Sequence, residues 1–139
     1  VELVLILILI NVEHWFNEPF SVLHVFSWLA LLASLLLAIH GFYLLRVIGR
    51  PQGSFEDTTK LVTLGAYKYI RHPLYCSLLL GAWGAFLKDV SPLSIGLVIA
   101  ASAFLVETAK VEETENVKRF GQEYADYMKE TKMFIPFLY

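Results

Sequence analysis

The sequence predicts an all-α integral membrane helical bundle, with about four membrane-embedded helices, the first truncated, and a C-terminal amphipathic cytoplasmic helix. Three observations lead there. Of 139 residues, 57% are hydrophobic and 17% charged, too apolar for a soluble domain of this size. The apolar residues gather into four stretches, at 1–12, 20–48, 74–87 and 92–106. Ten of the eleven basic residues fall in two segments. Arg46, Arg50, Lys60, Lys68 and Arg71 precede the third stretch, Lys110, Lys118, Arg119, Lys129 and Lys132 follow the fourth, and only Lys88 lies elsewhere. By the positive-inside tendency both segments are cytoplasmic, which makes the chain multi-pass with four alternating crossings.

The first stretch lacks a basic leader and a small-residue cleavage site, so it reads as an incomplete span rather than a signal peptide. The second carries about 27 apolar-rich residues and reaches roughly 40 Å, enough to cross a hydrocarbon core of about 30 Å even when tilted. A polar loop follows over 49–63, marked by Pro51, Gly53, Ser54 and Thr58-Thr59. The third and fourth stretches reach only about 21 to 22 Å each, so they either recruit flanking turns or form a short hairpin about Lys88-Asp89. Small residues Gly81, Ala82, Gly84, Ala85, Gly96, Ala100, Ala101 and Ala103 allow close backbone approach between the two arms of such a hairpin. Beyond it a charged helix is expected over 110–119, interrupted or capped at Gly121. A further turn carries Tyr124, Tyr127 and Met128 at a spacing suited to the membrane surface. Two regions result: 1–48 with the N-terminal transmembrane helices, and 49–139 with the hairpin and the C-terminal helix.

A net charge of −2 gives no reason to expect a nucleic-acid partner, and the membrane lipid bilayer is the expected surrounding. The lone Cys76 excludes an intrachain disulfide, and four histidines without close ligand spacing point to no metal.

Two polar clusters interrupt the apolar plan. In the first, Gly65, Tyr67, Arg71, His72 and Tyr75 crowd the entry of the third stretch, with Pro73 suited to a first helical position. Free N–H groups at such a helix start suit an anion such as a carboxylate. Arg71 and Lys68 also fit as interfacial anchors, with His72 a simple helix-entry residue. The second cluster is Glu112-Glu113. Their directions differ by about 100° on a helix, so at most one enters a shared pocket fully. Together they complement a cation, or form a solvated helix start. Glu107, at the cytoplasmic end of an apolar helix, is either a functional group or the partner of Lys110. His40 in the second span is either a site residue or a helix–helix hydrogen-bonding group.

Thr63-x-Gly65-x-Tyr67-x-x-x-Arg71-His72-Pro73-x-Tyr75, followed by Glu112-Glu113, Phe120-Gly121-x-x-Tyr124-x-x-Tyr127 and Ile135-Pro136, resembles the isoprenylcysteine carboxyl methyltransferase and phospholipid methyltransferase superfamily. The likeness covers about residues 61 to 136. It implies an enzyme using S-adenosylmethionine, with the cofactor site in 49–139 facing the cytoplasm and open to lipid for an apolar or lipidic acceptor. Carried over, Gly65, Tyr67, Arg71, His72 and Tyr75 form one wall of the cofactor site and Glu112 and Glu113 the other. Glu107 stands where isoprenylcysteine enzymes carry a basic residue that meets the substrate, so it favours an amine over a carboxylate there. With His40 it is the expected substrate contact. Two other functions share parts of this pattern: an NADPH-dependent membrane reductase of the sterol-reductase kind, and a non-enzymatic membrane assembly protein. The paired glutamates favour the methyltransferase.

Overall fold

The computed structural model describes residues 1–54 and 57–139; Phe55 and Glu56, in the expected polar loop, lie outside the described residues. The described chain is helical: α1 (Glu2–Ile10), α2 (Val22–Val47), α3 (Pro73–Phe86), α4 (Pro92–Phe120) and α5 (Gln122–Glu130), with 3-10 turns at Val12–His14 and Gly65–Lys68. No strand forms among the described residues, where a single parallel bridge joins Ile70 and Lys132.

Two of these helices, α2 and α4, are long and apolar enough to cross a membrane. Only 6% of the most apolar window of α2 is buried within the protein, the reverse of a soluble core helix, whose apolar face is covered. In α4 the apolar stretch and the charged helix expected after it are one element of 29 residues, about 43 Å long. No Gly or Pro follows Gly96 before the helix ends, so nothing breaks the backbone hydrogen bonding between the two compositions. Gly121 then separates α4 from α5 with φ +63 and ψ −133, a conformation only glycine adopts readily.

The chain divides into two compact units, 1–36 with 77–106 and 37–76 with 107–139. The first unit is cored by Val4, Leu7, Ala82, Ala85, Val98 and Ala101. Ala82 and Ala85 are fully buried, as expected of small residues at a close helix contact. Side-chain hydrogen bonds to backbone carbonyls tie this unit further: Ser27 Oγ donates to Gly84 O at 2.6 Å, Ser34 Oγ to Ser77 O at 2.7 Å, and Asn11 Nδ2 to Ala85 O at 2.8 Å. Lys88, in the turn between α3 and α4, is 3% exposed. Its ammonium lies 3.6 Å from the Trp28 ring centroid and donates to Trp15 O at 3.3 Å, so aromatic faces and a carbonyl stand in for water.

The second unit has a smaller apolar cluster of Leu44, Val62 and Tyr67, and is organised around charge.

Candidate functional site

Every candidate site residue lies in the second unit. The chain enters α3 through the Gly65–Lys68 turn, which begins at Gly65 with φ +58. A Cβ at Gly65 would sit 2.5 Å from His40 Nε2 and 2.8 Å from Leu44 Cδ1, so the position requires glycine for space as well as for conformation. His40 accepts the Ala66 N–H at 3.2 Å, which fixes the turn to α2. Its partner is a loop amide, where helix–helix bonding was the structural expectation.

Past the turn, Tyr69, Ile70, Arg71 and His72 run alongside the segment after α5. Arg71 N donates to Lys132 O at 2.8 Å, His72 N to Met133 O at 3.3 Å, and Lys132 N to Tyr69 O at 3.1 Å. The amides of Arg71 and His72 are therefore satisfied by the protein, and the free anion-binding amides expected at this helix entry do not include them. Pro73 opens α3, where its missing N–H costs nothing.

Arg71, His72 and Glu113 meet on one oxygen. Arg71 Nε is 2.5 Å and His72 Nε2 3.2 Å from Glu113 Oε1, with side-chain exposures of 10%, 3% and 9%. Burial of this kind is tolerable because each charge faces an opposite one or a hydrogen-bond partner. Arg71 Nη1 also donates to Thr131 O at 2.6 Å and Met128 O at 3.2 Å, placing a positive charge on the carbonyl end of α5. The guanidinium thus links three segments: its own, α4 and α5.

Of the adjacent glutamates, Glu113 enters the cluster while Glu112 is half-buried beside it, as the angular step of a helix requires. Tyr75 stacks on His72 with ring centroids 5.5 Å apart and planes 24° apart, and Phe134 approaches the same imidazole at 6.0 Å. Tyr67 is buried. Burial pushes its phenol well above the usual tyrosine value, and the nearby Glu112 charge adds to the rise. Burial likewise pushes Tyr124 up to about 12, partly offset by a hydrogen bond with Asn116. Glu107 is not part of this cluster: it is exposed and pairs with Lys110 at 2.7 Å.

Sequence reasoning missed the part played by α5. Tyr124 and Tyr127 are 2% and 7% exposed, so the aromatic face expected on the membrane surface is instead buried in the protein. Tyr127 Oη donates to Tyr67 O at 2.5 Å, and Thr131 Oγ1 to Tyr127 O at 2.6 Å. Helical spacing showed that an apolar face existed, but nothing local to the sequence identified what covered it.

Comparison with known proteins adds to this geometry. The profile described as phospholipid methyltransferase matches residues 22–127. The chain is similar to a probable protein-S-isoprenylcysteine O-methyltransferase of Oryza sativa subsp. indica, 32% identical over 85 residues, covering 60% of this chain and 44% of that protein. It is 34% identical over 79 residues to the protein-S-isoprenylcysteine O-methyltransferase of Tribolium castaneum, covering 56% of this chain and 28% of that protein. The Rattus norvegicus protein of the same name is 32% identical over 123 residues, covering 81% of this chain and 43% of its own length. The chain spans less than half the length of these curated relatives.

Proposed function

The chain belongs to the phospholipid methyltransferase family, and from that premise we propose that it is an integral membrane enzyme that transfers a methyl group from S-adenosylmethionine to a lipidic or prenylated acceptor at the membrane–cytoplasm boundary. The observation that carries this reading is the buried meeting of Arg71, His72 and Glu113 beside the aromatic rings of Tyr67 and Tyr75. In this reading four membrane-embedded helices hold the site toward the cytoplasm, with α2 and α4 long and apolar enough to cross.

The residues fit the donor by chemistry. S-adenosylmethionine carries a carboxylate, an ammonium and a sulfonium, and the cluster offers cations, carboxylates and aromatic faces within one small region. When bound, it supplies a methyl group made electrophilic by the sulfonium. The chain's own work is then positioning and exclusion of water. Glu113 and Glu112 balance the donor's positive charge, while Arg71 and His72 both orient Glu113 and the Arg71 guanidinium offers positive charge to a carboxylate. Gly65 allows the close turn that brings Tyr67 to the cluster. His40 contributes by holding that turn, and Glu107 is the group that meets an acceptor amine from the exposed side of α4.

Isothermal titration in detergent tests the assignment. S-adenosylmethionine binding is expected, weakened at least about tenfold by Glu113→Gln and by His72→Ala, as for loss of a charge-assisted hydrogen bond. Unchanged affinity in both variants defeats the site, and NADPH binding instead of S-adenosylmethionine binding supports the reductase. Binding of neither points to the assembly protein.

A further inference from the structure

The second unit carries a surface that the proposed chemistry does not use. Lys132 follows α5 and its backbone N–H donates to Tyr69 O at 3.1 Å, which sets it beside the Tyr69 segment. Lys68 Nζ lies 5.9 Å from the Tyr69 ring centroid, and Tyr69 meets Phe137 edge-on at 6.1 Å. Lys68, Tyr69, Lys132 and Phe137 are therefore contiguous. Phe137 occupies a tight turn with φ +66, left-handed backbone that a bulky side chain adopts only when its surroundings impose it. That turn is closed by Leu138 N and Tyr139 N, each donating to Ile135 O at 3.1 Å. Phe137 and Leu138 are 82% and 77% exposed as a result.

Exposed aromatic and aliphatic prongs between cations have a specific chemical match. Aromatic rings are favoured at the level of lipid headgroups, where one part of the residue is apolar and the surroundings are wet. Neither lysine forms an ion pair among the described residues, whereas Lys110 and Lys129 are each paired within their own helix. An anionic lipid headgroup supplies the missing charge, and the acyl boundary receives Phe137 and Leu138.

We infer that Lys68, Tyr69, Lys132, Phe137 and Leu138 form a lipid-surface anchor selective for anionic phospholipid, which pins the end of α5 to the bilayer interface. The anchor is independent of which donor or acceptor the cluster binds.

The test places an environment-sensitive nitrobenzoxadiazole label on Phe137→Cys in a Cys76→Ser background, with the label on Glu115→Cys as an exposed reference. The intact chain is reconstituted in phosphatidylcholine vesicles, with or without about one third phosphatidylglycerol. Doxyl-labelled lipid should quench the label at 137 at least about twofold more than at 115, and the excess should grow with the anionic lipid. Aqueous iodide should show the opposite preference. Lys68→Glu combined with Lys132→Glu should abolish the gain from phosphatidylglycerol while leaving monodisperse elution unchanged. Iodide quenching at 137 equal to that at 115 overturns the anchor, and equal lipid quenching in both compositions overturns its selectivity for anionic lipid. Lipid quenching that falls as the protein-to-lipid ratio rises identifies a second copy as the occupant and also overturns it.

Discussion

Residues 1–36 with 77–106 and residues 37–76 with 107–139 both bury polar side chains, but they do so in different ways. In the first unit Ser27, Ser34 and Asn11 each reach a nearby backbone carbonyl, and the buried cation, Lys88, is answered by Trp28 and a carbonyl. No acidic side chain pairs with a base in that unit among the described residues. The second unit instead sets a carboxylate against a guanidinium and an imidazole, out of water, with a second carboxylate beside them. Hydrogen bonds of the first kind fix helices to one another at modest gain per bond. A buried ion cluster is a costly way to obtain stability, so its presence in one unit and its absence from the described residues of the other is what the proposed binding role accounts for.

Substitutions can break or sharpen that contrast. The largest effect is expected from Glu113→Ala, which leaves Arg71 buried without its counter-charge and lowers stability by about 4 kcal/mol in denaturant unfolding. Arg71→Met with Glu113→Leu should cost less than the single change, because no unpaired charge remains; a double variant worse than Glu113→Ala would show that the carbonyl bonds of Arg71 dominate. Next is Gly65→Ala, where a left-handed backbone and a Cβ 2.5 Å from His40 Nε2 combine to cost about 2 kcal/mol. Adding His40→Ala should recover part of that loss in the same melting experiment. In the first unit Ser27→Ala should cost about 1 kcal/mol and leave donor affinity unchanged. A fall in affinity there would dissolve the distinction between the two units.

A further effect is confined to alkaline pH. Burial raises Tyr124 from 10.0 to about 12, so the unfolded chain loses that phenolic proton first. The associated stability is whole below about pH 10 and is lost as pH rises through about 12. Tyr124→Phe should flatten this alkaline decline, read as melting temperature against pH. Smallest of all, Glu107→Gln should leave the melting temperature unchanged, since its pair with Lys110 is exposed; a change in acceptor preference alone would support its proposed substrate contact.

Several of these features were legible in the sequence because their causes are local. The apolar stretches gave the positions of α2 and α3, and Arg71-His72-Pro73 announced a polar entry into α3. The angular step between adjacent helix residues correctly required that Glu112 and Glu113 differ in burial. The charge boundary after Val106 was a poorer guide: composition changes there, but helix propensity does not, so α4 runs through it. The pairing of Tyr69–His72 with Lys132–Met133 was not legible. Isolated bridges between distant segments leave no periodic signature, and the carbonyls that hold Arg71 belong to backbone rather than to any diagnostic side chain. For the same reason the burial of Tyr124 and Tyr127 could be read only as an apolar stripe seeking cover.

The bridge from Ile70 to Lys132 also governs the order in which the molecule can be made. While a ribosome is still supplying α4, Arg71 lacks the carbonyls of Met128 and Thr131, and its amide lacks that of Lys132. The helical hairpin can assemble from neighbours already synthesised, but Arg71 must wait for Glu113, 42 residues on, and for the Thr131 carbonyl, 60 residues on, at the larger entropic cost of closing so long a loop. A nascent protein stalled before Thr131 therefore has its helices and lacks its completed charge centre, which closes only once the carbonyls of Thr131 and Lys132 have been made.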